Sequence, residues 1–170
     1  MTEIFGLPAH PLMVHVPVVL IPLALVGVVL MLARPALQRA LLIPVAVLAG
    51  VGAIGAILAS NSGEWLIERV KESPGLHEHG ELGEMARNLS ILFAGALFVW
   101  ALRQLVIERN WLSGTPLPKL LAPKWIAVTA TVGALLFGSL ATARTVRAGH
   151  SGAKAAWKGK VGPPHERSAD

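Results

Sequence analysis

Histidine carries most of the reactive chemistry in this sequence. There are six histidines and no cysteine. Disulfides, thiolate catalysis and iron–sulfur ligation are therefore excluded, and imidazole becomes the main candidate ligand. Neutral imidazole binds transition metals, can ligate haem iron and can shuttle protons near neutral pH. Five of the six, His10, His15, His77, His79 and His150, come from three separated stretches of the chain. They can act together only if the fold returns to one place three times.

The apolar pattern supplies that return. Hydrophobic residues make up 54% of the 170 residues and charged ones 15%, more apolar surface than a soluble domain of this length can bury. Apolar runs lie at about 12–33, 40–60, 88–107 and 124–146, each near the ~20 residues an α-helix needs to cross the hydrocarbon core. The expected fold is all-α: an integral membrane four-helix bundle with short loops over residues 1–150, followed by a basic, disordered tail over 151–170. Four crossings put the start of helix one, the end of helix two, the start of helix three and the end of helix four at one face. All five histidines fall at that histidine face. The first Lys or Arg is Arg34, so the basic opening of a signal peptide is missing and the first run is expected to remain as an anchor.

Charge and aromatic residues refine the picture. The net charge of +5 sits in short loops and the tail beside apolar runs, which suits anionic headgroups and argues against nucleic acid. Trp65 and Trp157 fall near the histidine face and Trp111 and Trp125 near the other, whereas Trp100 is deeper and reads as packing. The short loops opposite the histidines hold Arg34, Arg39, Arg103, Arg109, Lys119 and Lys124. Arg69, Lys71, Arg87 and the basic tail oppose that bias, but short flanking loops weigh more, which places the histidine face extracytoplasmic at the inner membrane. Small residues recur as Gly52, Ala56, Ser60 and Gly55, Ala59, Gly63 in helix two and as Ala130, Ala134, Gly138, Thr142 in helix four. That spacing lets helix backbones approach closely in lipid and also suits association between copies. Glu64 to Glu72 reads as an amphipathic turn or two lying on the membrane surface.

At the histidine face, His15 lies about one turn inside an apolar helix, where an ionisable group is expected to face the bundle interior. His10 and His15 are five apart, about 140° on a straight helix; Pro11 in the first helical turn would let His10 fold back over the helix end. His77 and His79 precede helix three, whose opening Gly80 and Gly83 leave space for a neighbouring helix or a macrocycle. Glu64 and Glu81 are candidates to orient a ligating imidazole from behind. Met13 and Met85 suit copper chemically, but methionine is far more often a core filler.

Four ordered segments resemble the DUF2231 family of bacterial membrane proteins. They are Gly6-Leu-Pro-Ala-His10-Pro-Leu-Met-Val-His15-Val-Pro17, Ser62-Gly-Glu-Trp-Leu-Ile-Glu-Arg69, His77-Glu-His-Gly-Glu-Leu-Gly-Glu84 and Gly149-His-Ser-Gly-Ala-Lys-Ala-Ala-Trp157. The resemblance implies a four-helix membrane domain whose shared histidines correspond to His10, His15, His79 and His150. Other branches of the family place this domain beside cytochrome-like modules, which fits electron transfer by association.

The sequence thus points to haem b or a transition-metal ion held by His10, His15, His79 and His150, with a redox partner protein or quinone meeting that face. The alternative is a non-catalytic membrane subunit or small transporter without a cofactor, although the helix interiors offer no mid-membrane Asp, Glu, Lys or Arg for a coupled pathway. A membrane hydrolase ranks last, since no nucleophile motif or zinc-protease spacing is present.

Overall fold

The computed structural model describes residues 3–70 and 74–157, Ile4 and Pro74 by backbone alone. Strands β1 (Glu3–Ile4) and β2 (Leu7–Pro8) form a small antiparallel hairpin. Phe5 and Gly6 turn it with positive φ angles of 51° and 77°, the left-handed pair that a two-residue hairpin loop needs. Helices α1 (Ala9–Met13) and α2 (His15–Ala33) are nearly continuous. The break between them falls where Pro17 has no N–H to offer the Met13 carbonyl. A 3₁₀ turn at Pro35–Leu37 leads into α3 (Gln38–Ile67). Next comes α4 (Pro74–Arg103), which passes into a π-helical turn at Gln104–Glu108. The short α5 (Leu117–Leu121) and the long α6 (Lys124–Trp157) complete the described chain.

Four helical segments, Ala9–Ala33, Pro35–Ile67, Gly75–Glu108 and Lys124–Trp157, are long and apolar enough to cross a membrane. They pack as a ring in which α2 lies beside α3, α3 beside α4, α4 beside α6, and α6 closes against α2. The inward positions recur every three or four residues: Ile21, Ala24, Val28 and Met31 on α2, Phe93, Leu97 and Trp100 on α4, and Ala130, Ala134, Gly138 and Ala141 on α6. Outward positions are as apolar as the core, with Val18, Val26, Ile54, Leu58, Phe98, Val128 and Leu136 all exposed. An interior in which small residues meet large ones, inside a sheath of large aliphatic side chains, is the pattern of a helix bundle solvated by lipid.

The small residues predicted to permit close approach do so. A Cβ added at Gly55 would lie 2.5 Å from Val16 Cγ1, and one at Gly138 would lie 2.8 Å from Phe93 Cε2. Trp100, only 5% exposed, is packed inside as expected.

The helices overrun the expected spans at the histidine end. The segment expected to lie on the membrane surface instead continues α3 through Ile67, and Glu68 to Val70 turn away; Lys71 and Glu72 lie outside the described residues. His77 and His79, expected in a loop, stand on the first turns of α4. The tail expected from Ser151 is helical as far as Trp157, and residues 158–170 lie outside the described chain. Hydropathy marks where lipid ends. It does not mark where helix-to-helix contact ends, and here contact continues beyond the apolar zone. Gly138→Ala should lower the thermal midpoint of the detergent-solubilised protein, by about 1–3 kcal/mol of overpacking. Gly95→Ala, whose added Cβ meets nothing within 4 Å, should not lower it, since alanine favours the helix.

Candidate functional site

The helix extensions bring two of the candidate imidazoles into contact. His10 lies on α1, which packs on α3, and its Nδ1 is 2.8 Å from the Ala59 carbonyl oxygen. His79 lies on α4 facing the end of α6, with Nδ1 3.0 Å from the Ala148 carbonyl oxygen and 3.3 Å from Ser151 Oγ. A carbonyl oxygen only accepts, so Nδ1 carries the hydrogen in both rings, and in the neutral imidazole Nε2 then keeps its lone pair. The two Nε2 atoms face one another at 3.5 Å. The ring planes are nearly perpendicular, at 79°, with 5.7 Å between centroids.

Glycines make this possible. A Cβ on Gly63 would lie 2.9 Å from both Nδ1 and Cε1 of His10, and one on Gly152 would lie 2.8 Å from Cε1 of His79. Each ring therefore fills the hollow left by a missing side chain. Serines complete the anchoring: Ser62 Oγ donates to the Ala59 carbonyl at 3.0 Å and Ser151 Oγ to the Ala148 carbonyl at 2.9 Å. Sequence reasoning missed these four residues as parts of the site. The signal was present, because Ser62-Gly63 and Ser151-Gly152 both sit near the end of a spanning helix, three and four residues after an alanine.

The remaining candidates lie apart from the pair. His15 is on the exposed side, its Nδ1 3.3 Å from the Leu12 carbonyl oxygen. The one-residue break at Val14 leaves its angular offset from His10 in place. His150 is exposed at the end of α6, pointing away from the buried stripe of Thr145 and Ala148. His77 pairs instead with Glu81 at 3.3 Å on the surface of α4. Glu64 lies 3.8 Å from Arg87, and the same guanidinium holds Ser60 Oγ at 3.0 Å and Glu84 at 3.2 Å. These contacts tie α3 to α4 at the level of the histidines. The groups orienting His10 and His79 are thus backbone carbonyls. An added Cβ at Gly80 would only touch Ile67 at 3.7 Å, and Gly83 meets nothing. Among the described residues, no group of three or more His, Cys, Asp or Glu side chains is placed to hold a metal ion.

Four long apolar helices with a paired imidazole at one end define a multi-pass membrane protein. The chain belongs to DUF2231, a family of predicted membrane proteins whose model matches residues 6–164. No curated protein and no solved structure matches it.

In protein labelled with ¹⁵N-histidine, His10 and His79 should each show a protonated Nδ1 and a bare Nε2. Gly152→Ala should abolish that signature for His79 while leaving His10 hydrogen-bonded to Ala59. An Nε2–H tautomer at both positions in the unaltered protein would contradict the geometry.

Proposed function

We propose that this chain is an inner-membrane protein that holds a transition-metal ion or a b haem at His10 and His79 and serves electron transfer at that end of the bundle. The observation that carries the reading is the pair of facing Nε2 atoms 3.5 Å apart, each ring fixed by a hydrogen bond from its other nitrogen to a carbonyl. Ligating histidines are ordinarily held in this way, because the Nδ1–H bond sets both tautomer and ring direction. A bound ion or haem would supply the one-electron step. The chain's own residues would do the holding: Ala59 and Ala148 orient the rings, while Gly63 and Gly152 let them in.

On this reading a redox partner protein or a quinone exchanges electrons at the same end, which faces the extracytoplasmic side according to the loop charges. His15 and His150 are exposed at that end and stand closer to such a partner than to the ligand. The second reading, a non-catalytic subunit or small transporter, draws on the lack of any group of three or more His, Cys, Asp or Glu side chains placed to hold a metal among the described residues.

Protein purified from metal- and haem-replete cells should carry a near-stoichiometric metal by mass spectrometry or show reduced-minus-oxidised haem bands. His10→Ala and His79→Ala should each remove at least about nine-tenths of it, a loss in keeping with the 10- to 100-fold effect of removing even an indirect supporting contact. His15→Ala and His150→Ala should retain most of it. A colourless, metal-free protein would leave the subunit or transporter reading.

A further inference from the structure

The surroundings of His10 and His79 are the same arrangement made twice. In each, a helix that starts at this end presents a histidine three residues after a leucine, Leu7 before His10 and Leu76 before His79. In each, a helix that ends here presents Ala-x-x-Ser-Gly: Ala59, Ser62 and Gly63 on α3, and Ala148, Ser151 and Gly152 on α6. The imidazole-to-carbonyl distances are 2.8 and 3.0 Å, the serine-to-carbonyl distances 3.0 and 2.9 Å, and the closest approaches to an added glycine Cβ 2.9 and 2.8 Å. The helix ring has the matching symmetry. Exchanging α2 with α4 and α3 with α6 turns the α2–α3 contact into α4–α6 and the α3–α4 contact into α6–α2, and all four exist. The paired residues are 49 apart in the first half and 69 in the second, so an extra 20 residues are accommodated without disturbing the site. Finally, the equivalent atoms of the two halves touch, Nε2 against Nε2, as a twofold axis along the membrane normal requires.

We infer that the chain is two equivalent helical hairpins meeting through these imidazoles, and that the ligand on their shared axis is a single monovalent copper ion bound by Nε2 of His10 and Nε2 of His79. This rests on the metal-binding reading above and narrows it by three arguments. The first is the number of donors. Zinc sites draw on three or four protein ligands, whereas the pair supplies two, and no third His, Cys, Asp or Glu joins it among the described residues. A filled-shell Cu(I) ion is stable with two.

The second argument is charge. At this end Glu64 and Glu84 pair with Arg87, Glu68 with Arg69 and Glu81 with His77, and imidazole donates to a metal only in its uncharged form. The self-energy of an ion grows as its charge squared, which makes a monovalent ion roughly a quarter as costly to desolvate there as a divalent one of the same size. The third is space. Imidazole–metal bonds of about 2.0 Å at a 3.5 Å separation subtend roughly 120°, and an opening of about half an ångström makes them collinear. A haem would have to slide its whole macrocycle between the rings, while Gly63 and Gly152, already filled by the imidazoles, block their retreat.

The test is an anaerobic titration of the full chain in detergent with Cu(I) buffered by a bicinchoninate competitor, run beside Zn(II) and haem b. One Cu(I) per chain is expected, with nitrogen and no sulfur in its X-ray absorption shell. His10→Ala and His79→Ala should each weaken it at least 100-fold, and Ser62→Ala and Ser151→Ala about tenfold each and by matching factors. Monodisperse elution and an unchanged helical circular dichroism spectrum establish that each variant is folded. Zinc or haem binding at the same two histidines in preference to Cu(I) overturns the copper assignment while leaving the metal-binding reading in place. Absence of binding by all three overturns both. Copper binding that survives either histidine variant, or serine variants that differ more than about tenfold, overturns the shared-axis site.

Discussion

Apolar side chains gain little by leaving lipid for the surface of another helix, so this bundle depends on how closely its backbones can meet. The inner stripe of α6, and that of α3 from Ala49 onward, are accordingly built from Gly, Ala, Ser and Thr. Large side chains from α2 and α4 fill the spaces thus left: Ile21 and Val16 against α3, and Phe93 against α6. The exchange also runs the other way, since Val45 of α3 fills the space at Gly27 of α2. The outer surface is free to be large and aliphatic because lipid is its solvent.

The same device, carried beyond the lipid, makes the histidine site. At Gly63 and Gly152 the occupant of the hollow is an imidazole in place of an aliphatic chain. The helix carbonyl exposed beside the hollow then becomes the acceptor for Nδ1–H, and a serine one turn on adds its hydroxyl to that oxygen. Packing and chemistry are therefore not separate features here. Removing a Cβ makes room for a ring, and the ring's hydrogen bond decides which nitrogen is left for a ligand. The Arg87 network with Ser60, Glu64 and Glu84 braces α3 against α4 at the same level, limiting how far the two rings can separate.

The opposite end is organised differently. There α4 relaxes into a π-helical turn, Gln104 is almost wholly buried, and Arg39 reaches Glu108 across from the α2–α3 connection at 3.6 Å. One ion pair, hydrogen bonds from Arg103 and Arg109 to backbone carbonyls and a short 3₁₀ turn close that end, whereas the histidine end is closed by direct contact between helix extensions. The rigid elements consequently run longest where the imidazoles sit.

The number, direction and class of the helices were legible in the residues alone, because apolar runs of spanning length and the need to satisfy every backbone hydrogen bond in lipid leave no other regular structure. The convergence of His10 and His79 at one face followed from an even number of crossings. Membership of the pair did not. His15 sits in an apolar run and looked buried, yet its angular position on the first helix turns it outward, and angular position matters only once neighbouring helices are placed. Helix ends were misjudged for a related reason: hydropathy reports the boundary of lipid, while the lengths of α3, α4 and α6 are set by contacts beyond it. The acceptors that orient the imidazoles were least legible of all, since a backbone carbonyl has no letter in the sequence. Only the tertiary fold could select Ala59 and Ala148, because which carbonyl lies beside which ring is decided by the register between helices.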